Sequence, residues 1–343
     1  MREVADGLRA WRSEGRRFAL VTVLSTWASA PRPAGTRMAV AEDGQVLGNI
    51  TGGCVEAAVH EAALAVLASG RPQRHRYGVT ADDLVQVGLM CGGEIEVYVE
   101  PVDAEAPELD AVLGALAEGG SAAMVTGLDA EGRAQVADQL ELTGTESATA
   151  RTDAEGRTYL VHTFAAPPRM ILFGAIDLAD AVASVGRFLG YRVTVCDARP
   201  VFATQERFPN ADEVVLAWPH RYLADQPVDP STVLCVLTHD PKFDVPLIEA
   251  ALATDAGYIG VMGSRQTQAE RGAVLIERGV AREALARLRG PVGLDLGAQT
   301  PAETAVSIAA EIVAWRHGRS GQPLRDLGVP IHDVPQAALV CPS

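Results

Sequence analysis

Two cysteines of this 343-residue chain stand inside glycine-rich turns, a setting in which a thiol can meet a ligand. Gly48-Asn49-Ile50-Thr51-Gly52-Gly53-Cys54 leads straight into a helical stretch at Val55, and Gly88-Leu89-Met90-Cys91-Gly92-Gly93 precedes an alternating strand. Diglycines let backbone amides approach a ligand, and the positive end of a helix at Cys54 favours a thiolate. The plainer reading is two tight turns packed together, each cysteine a small hydrophobe. A third turn, Ser29-Ala30-Pro31-Arg32-Pro33-Ala34-Gly35-Thr36-Arg37, holds two guanidinium groups in a rigid, proline-bounded loop. Arg32 and Arg37 in such a loop suit bidentate phosphate binding.

Other chemistry-bearing residues lie in the second half. Thr238-His239-Asp240-Pro241-Lys242-Phe243-Asp244 follows a strand and gathers an imidazole, two carboxylates and the only lysine of the chain. His239, Asp240 and Lys242 are the candidates for acid–base work, none of them a firm catalytic assignment. A solvated turn with an Asp–Lys contact is the plain alternative. In Gly260-Val261-Met262-Gly263-Ser264-Arg265, Ser264 suits a helix cap, while Gly263, its neighbouring amides and Arg265 suit an anion nest.

Gly174-Ala175-Ile176-Asp177-Leu178-Ala179 follows a strand, where a dinucleotide-binding fold carries G-x-G-x-x-G/A. Asp197 lies at about the distance of a ribose-binding acid. Ile176, however, replaces the glycine that lets the backbone approach a pyrophosphate. Asp177 adds a carboxylate where a phosphate would sit at the helix N-terminus. The two replacements disfavour NAD(P).

These residues need two scaffolds. Phe18 to Leu24 and Arg37 to Ala41 read as buried strands, Val55 to Ala68 as a helix, and Glu94 to Val99 as a half-buried strand. Pro107 to Ala117 reads as another helix, and the polar stretch from Gly127 to Gly156 as exposed hairpins. Ala165-Ala166-Pro167-Pro168 marks a junction, because two prolines continue neither a helix nor a central strand. Beyond it, strands at Met170, Arg192, Glu213, Thr232 and Tyr258 alternate with helical stretches, which implies parallel pairing. The expected class is α/β: an N-terminal α+β domain over 1–166, then a Rossmann-like doubly wound parallel-sheet domain over 167–320. A C-terminal tail covers 321–343.

The net charge is −15, from 44 acids against 29 bases, so the surface repels polyanions and speaks against nucleic-acid and anionic-membrane partners. The longest aliphatic run, Ala62 to Ala68, is far short of the ~20 residues that span a bilayer. Met1 to Arg17 mixes Arg with Glu and Asp and has no signal-peptide pattern, so a cytoplasmic protein is expected. Five scattered cysteines without a C-x-x-C pair read as free thiols.

The motifs S-A-P-R-P-A-G-T-R-M (29–38), T-G-G-C-V-E (51–56) and G-L-M-C-G-G-E-I-E-V (88–97) resemble the N-terminal domain of the XdhC/CoxI family. L-T-H-D-P-K-F-D (237–244), G-V-M-G-S-R (260–265) and G-L-D-L-G-A-Q-T-P-A-E-T-A-V-S-I (293–308) are similar to its Rossmann domain. The resemblance implies an accessory protein that binds molybdenum cofactor (molybdopterin), assists its sulfuration with a cysteine desulfurase, and inserts it into an apo molybdenum hydroxylase. That hydroxylase would be of the xanthine dehydrogenase or carbon monoxide dehydrogenase type.

Carried over by position, Cys91 is the cysteine on which cofactor binding depends and the candidate molybdenum contact; Cys54 is the second candidate. Gly52, Gly53, Gly92 and Gly93 shape the turns, and Arg32 and Arg37 would hold the phosphate on electrostatic grounds. Relatives commonly read G-A-G-H where this chain has Ile176 and Asp177. The rival reading is an NAD(P)-dependent oxidoreductase. The chain lacks the cysteine sets that an iron–sulfur dehydrogenase would need, and a homodimer is open to it.

Overall fold

The structure, a computed structural model, describes residues 2–27, 32–78, 93–103, 106–128, 134–136 and 147–328. Cys91 and Gly92 lie outside the described residues. The chain divides between Ala166 and Pro167 into two compact units.

The first unit opens with α1 (Arg2–Ser13), β1 (Phe18–Trp27), β2 (Arg37–Ala41), β3 (Val46–Gly48), α2 (Glu56–Ser69), β4 (Gln73–Tyr77) and β5 (Glu94–Val102). It continues with α3 (Pro107–Ala117), β6 (Ala122–Gly127), β7 (Ala134–Val136), β8 (Ser147–Thr152) and β9 (Thr158–Phe164). Among the described residues β1 to β5 form one antiparallel sheet in the order β3-β2-β1-β5-β4, and the last four strands form a second, β7-β6-β9-β8. Strand alternation splits β1 between two cores. Ala19, Val21 and Val23 pack beneath α2 with Val59, Ala63 and Val66, while Phe18 and Leu20 meet α1, α3 and Phe164 on the other face. The expected hairpin region, Gly127 to Gly156, contributes β7 and β8 to the second sheet, while the core residues Leu160 and Phe164 lie beyond it on β9. The helix over Arg2–Ser13 was not expected; it buries Val4, Leu8 and Trp11.

The second unit runs β10 (Arg169–Phe173), α4 (Asp177–Phe188), β11 (Arg192–Asp197), β12 (Glu213–Leu216), α5 (Pro219–Ala224), β13 (Val233–Val236) and α6 (Pro241–Leu252). It ends with β14 (Tyr258–Val261), α7 (Arg265–Glu277), β15 (Leu288–Arg289) and α8 (Pro301–Arg316). All its strand pairs are parallel, in the order β12-β11-β10-β13-β14-β15. Numbered from β10, that is 3-2-1-4-5-6, the doubly wound Rossmann order. Val182, Ile308 and Ile312 of α4 and α8 cover one face, and Leu247, Ile248 and Leu275 of α6 and α7 the other. Strands sealed on both faces are apolar without alternation, as at Val233–Val236. Among the described residues no helix is long and apolar enough to cross a membrane.

Candidate functional site

Register decides which strand ends of the first unit lie together. Trp27, the last residue of β1, pairs with Glu94, the first of β5; Tyr77, the last of β4, pairs with Ile95. Arg37 at the start of β2 pairs with Thr22, and Gly48 at the end of β3 with Met38. Antiparallel pairing therefore places five strand ends at one end of the sheet. Arg32 precedes β2 and Cys54 lies between β3 and α2, both at that end; Tyr77 and Glu94, which flank the segment of Cys91 in sequence, end there too.

The turn before α2 is already filled. Oε1 of Glu56 accepts from the amides of Thr51 at 2.8 Å and Gly52 at 3.0 Å. Oε2 accepts from the Thr51 hydroxyl at 2.7 Å and from the amides of Gly53 at 2.9 Å and Val55 at 3.2 Å. The amides of Gly52 and Gly53, expected to face a ligand, are thus spent on the chain's own carboxylate. Burial alone would raise the Glu56 carboxyl, but the bonds from Thr51, Gly52 and its own amide hold it down at about 2. Cys54 sits half-buried in the same turn, its amide donating to the Thr51 hydroxyl at 3.2 Å. Gly93, the one described glycine of the Cys91 turn, is buried at the start of β5.

The two arginines separate. Arg32 is half-buried and paired with Glu3, and among the described residues its Nε has no hydrogen-bond partner. Arg37 is only 2% exposed. Its guanidinium lies 3.2 Å from Nδ1 of His162 and over the Phe164 ring, in the layer between the two sheets. Alternation explains this, since Arg37 shares the inward face with Ala39 and Ala41. The expected pairing of two guanidiniums on one phosphate is therefore not the arrangement observed. Burial pushes the neighbouring Glu100 carboxyl up to about 7, against the attraction of Arg37.

In the second unit the ligand pole lies at the switch point between β10 and β13. Gly174 has φ +114°, and a Cβ there would stand 2.9 Å from Cγ2 of Thr238. Beside it, Asp197 is saturated. Oδ1 accepts from the Arg199 amide and Nε, each at 2.9 Å; Oδ2 accepts from the Ala175 amide and Arg199 Nη2, each at 2.7 Å. Four donors fill the four acceptor sites of a carboxylate, so a ribose diol finds none open. Burial works to raise Asp197, yet the bonds from Arg199 and Ala175 hold it below its ordinary range.

Asp177, at the start of α4, pairs with Arg207 at 3.2 Å, and Ile176 is the N-cap residue with no side-chain cap bond. Arg199 thus takes up the acceptors of the acid that a dinucleotide-binding fold turns to the ribose, and Asp177 places a carboxylate at the head of α4.

The loop of His239 resolves into a cap. Asp240 is the N-cap of α6, accepting from the Lys242 amide at 3.1 Å and pairing with Lys242 Nζ at 3.2 Å, while His239 is exposed. Ser264 caps α7 by accepting from the Thr267 amide at 3.1 Å, and Arg265 is exposed beside it. The sequence did not reveal what joins these two loops. Asp244 and Arg271, with side chains 3% and 6% exposed, pair at 2.7 Å beneath them. Thr238 donates to Asp244, and Arg271 also donates to the Met262 carbonyl at 3.2 Å. Only the Asp in the 237–244 motif hinted at this pair. Among the described residues, no group of three His, Cys, Asp or Glu side chains is placed to hold a metal ion.

The comparisons with known proteins agree with this architecture. The family model described as the XdhC Rossmann domain matches residues 170–312, and that of the XdhC and CoxI family matches residues 11–78. A protein named molybdenum cofactor insertion chaperone PaoD, from Escherichia coli K12, is 30% identical over 302 residues, covering 88% of this chain and 84% of that relative. A Bacillus subtilis 168 protein, named as a probable xanthine dehydrogenase subunit, is 28% identical over 312 residues, covering 87% and 92%. A crystal structure described as a xanthine dehydrogenase from Bacillus halodurans matches with a TM-score of 0.75 at 26% identity, over 92% of this chain and 96% of that one. With the motifs in order, the Rossmann strand order in place and a relative at this identity along most of its length, the chain belongs to the XdhC and CoxI family.

Proposed function

We propose that this protein is an accessory factor that takes up molybdenum cofactor, assists its sulfuration with a cysteine desulfurase, and inserts it into an apo molybdenum hydroxylase. The observation that carries the reading is the 30% identity, over 302 residues, to a molybdenum cofactor insertion chaperone. The reading is supported by the strand ends that flank the Arg32, Cys54 and Cys91 segments in sequence, which lie at one end of the first sheet. Cargo would bind there. Cys91 contacts the molybdenum centre, Cys54 is the second thiol candidate, and Arg32 offers the phosphate its guanidinium. Arg37 serves the scaffold from within. The self-filled crevice of the second unit speaks against an NAD(P)-dependent oxidoreductase and leaves that unit a structural or docking part.

The test is anaerobic titration of the wild type and Cys91→Ser with molybdenum cofactor, with NADH and NADPH in parallel. Retention of cofactor by the wild type, lost in Cys91→Ser, and transfer that activates an apo-hydroxylase are the expected results. Saturable nicotinamide binding without cofactor retention would overturn the reading.

A further inference from the structure

The motif-bearing end of the first sheet also carries an exposed patch that no motif accounts for. Trp27 is 42% exposed although it closes a strand that is otherwise largely buried. The Arg76 guanidinium lies over its indole, 4.6 Å from the ring centroid. Arg76 in turn donates from Nε at 3.1 Å and Nη2 at 2.5 Å, both to one oxygen of Glu94. One register step inward, the Ser25 hydroxyl donates to Glu96 at 3.2 Å.

Cross-strand partners point to the same face of a sheet. Trp27 pairs with Glu94, and both Ser25 and Arg76 pair with Glu96, so these five side chains share one face. Helix α2 packs against the opposite face, through Ile95 and Val97. Glu94 packs closely on Gly78, which is buried and leaves the room its side chain takes: a Cβ there would stand 2.6 Å from Cγ of Glu94. Trp27 immediately precedes the turn of Arg32, and Gly78 and Glu94 bracket the segment that holds Cys91.

The chemistry of the patch is specific. An indole with a guanidinium laid on it offers a flat, polarisable surface on which a heteroaromatic ring stacks. A carboxylate at its rim accepts two parallel N–H donors, the pattern that a ring N–H and its adjacent amino group present. Arg76 occupies one oxygen of Glu94, and Ser25 a single oxygen of Glu96, so both groups keep acceptor capacity. A fused aminopyrimidinone ring has both the flat face and the paired donors.

We infer that Trp27, Arg76, Glu94 and Glu96 form the platform for the pterin ring of the cargo, which stacks on the Trp27–Arg76 pair and donates to a carboxylate at its rim. This rests on the cofactor-binding reading above and adds residues to it.

The experiment follows the fluorescence of 6-hydroxymethylpterin on titration with the full chain, and in parallel the retention of anaerobic molybdenum cofactor. Saturable quenching by the wild type is expected, with affinity reduced about tenfold in Trp27→Ala and in Glu96→Gln. The thermal midpoints of both variants should be unchanged, because the two side chains are not core. Arg76→Gln is the second variant, should Trp27→Ala lower the midpoint. If the wild type retains cofactor and all three variants bind both probes as tightly, the platform is wrong and the delivery reading stands. If the wild type binds neither probe, both fall.

Discussion

The Glu56 carboxylate lies 2.7 Å from the Thr51 hydroxyl and 2.8 Å from the Thr51 amide, and so closes the turn at the head of α2 from within. Three further amides converge on the same group. A negative charge at a helix N-terminus is favourable, and here the chain supplies it. The glycines of this turn are therefore needed to wrap the backbone around Glu56.

Removing that carboxylate has two expected effects. Glu56→Ala should lose about 1 kcal/mol, the usual cost of an N-terminal cap. It should also expose the amides, so that millimolar phosphate raises its melting temperature and leaves the wild type unmoved. Because the Glu56 carboxyl is held at about 2 against an ordinary 4.5, its contribution is complete above pH 4.5 and is lost as pH falls from there towards 2. Urea melts between pH 2.5 and 6 should show that slope in the wild type and a shallower one in Glu56→Gln.

Glu100 has the opposite sign. Its folded carboxyl is raised to about 7 from 4.5, so ionisation costs stability as pH rises from 4.5 through 7. Glu100→Gln should be more stable than the wild type at pH 8, on the order of 3 kcal/mol, since each tenfold change in proton affinity is worth about 1.4 kcal/mol. The two proteins should converge near pH 5. Equal stability at pH 8 would show that Arg37 fully compensates the buried charge.

At the switch point of the second unit, Gly174→Ala should destabilise by about 2–3 kcal/mol, from a positive φ and an overpacked contact. Thr238→Ser removes the Cγ2 that the new methyl would meet at 2.9 Å. The double variant should recover part of the loss, since the backbone strain persists. Denaturant midpoints of the four proteins give the coupling directly.

The Asp244–Arg271 pair is nearly devoid of solvent. Asp244→Ala should cost about 3–5 kcal/mol, because it strands a buried guanidinium. Asp244→Leu with Arg271→Met should cost far less, since neither charge remains. If the single substitution were mild, water would have to reach Arg271.

How much was legible from the residues differs between the two units. The parallel sheet could be read from unbroken apolar strands such as Val233–Val236, because a strand sealed on both faces carries its own signature. The failed fingerprint at Ile176 and Asp177 was legible too, since a phosphate needs a glycine there for steric reasons that hold in any context. Arg37 reads as a ligand group because its neighbours in sequence are turn residues. Only β2 pairing with β1 turns its side chain inward, towards His162. Glu56 stood in the motif, yet nothing local distinguishes a carboxylate that greets solvent from one that folds back on its own turn.

Sequence alone therefore determined the family, the Rossmann alternation and the identity of the chemistry-bearing segments, because local pattern and motif order encode these. Tertiary structure decided which of those groups share a place and which are already occupied. Antiparallel register brings strand ends distant in sequence to one end of a sheet. Hydrogen bonding between neighbours then assigns Asp197 to Arg199 and the Thr51–Gly53 amides to Glu56, before any ligand arrives.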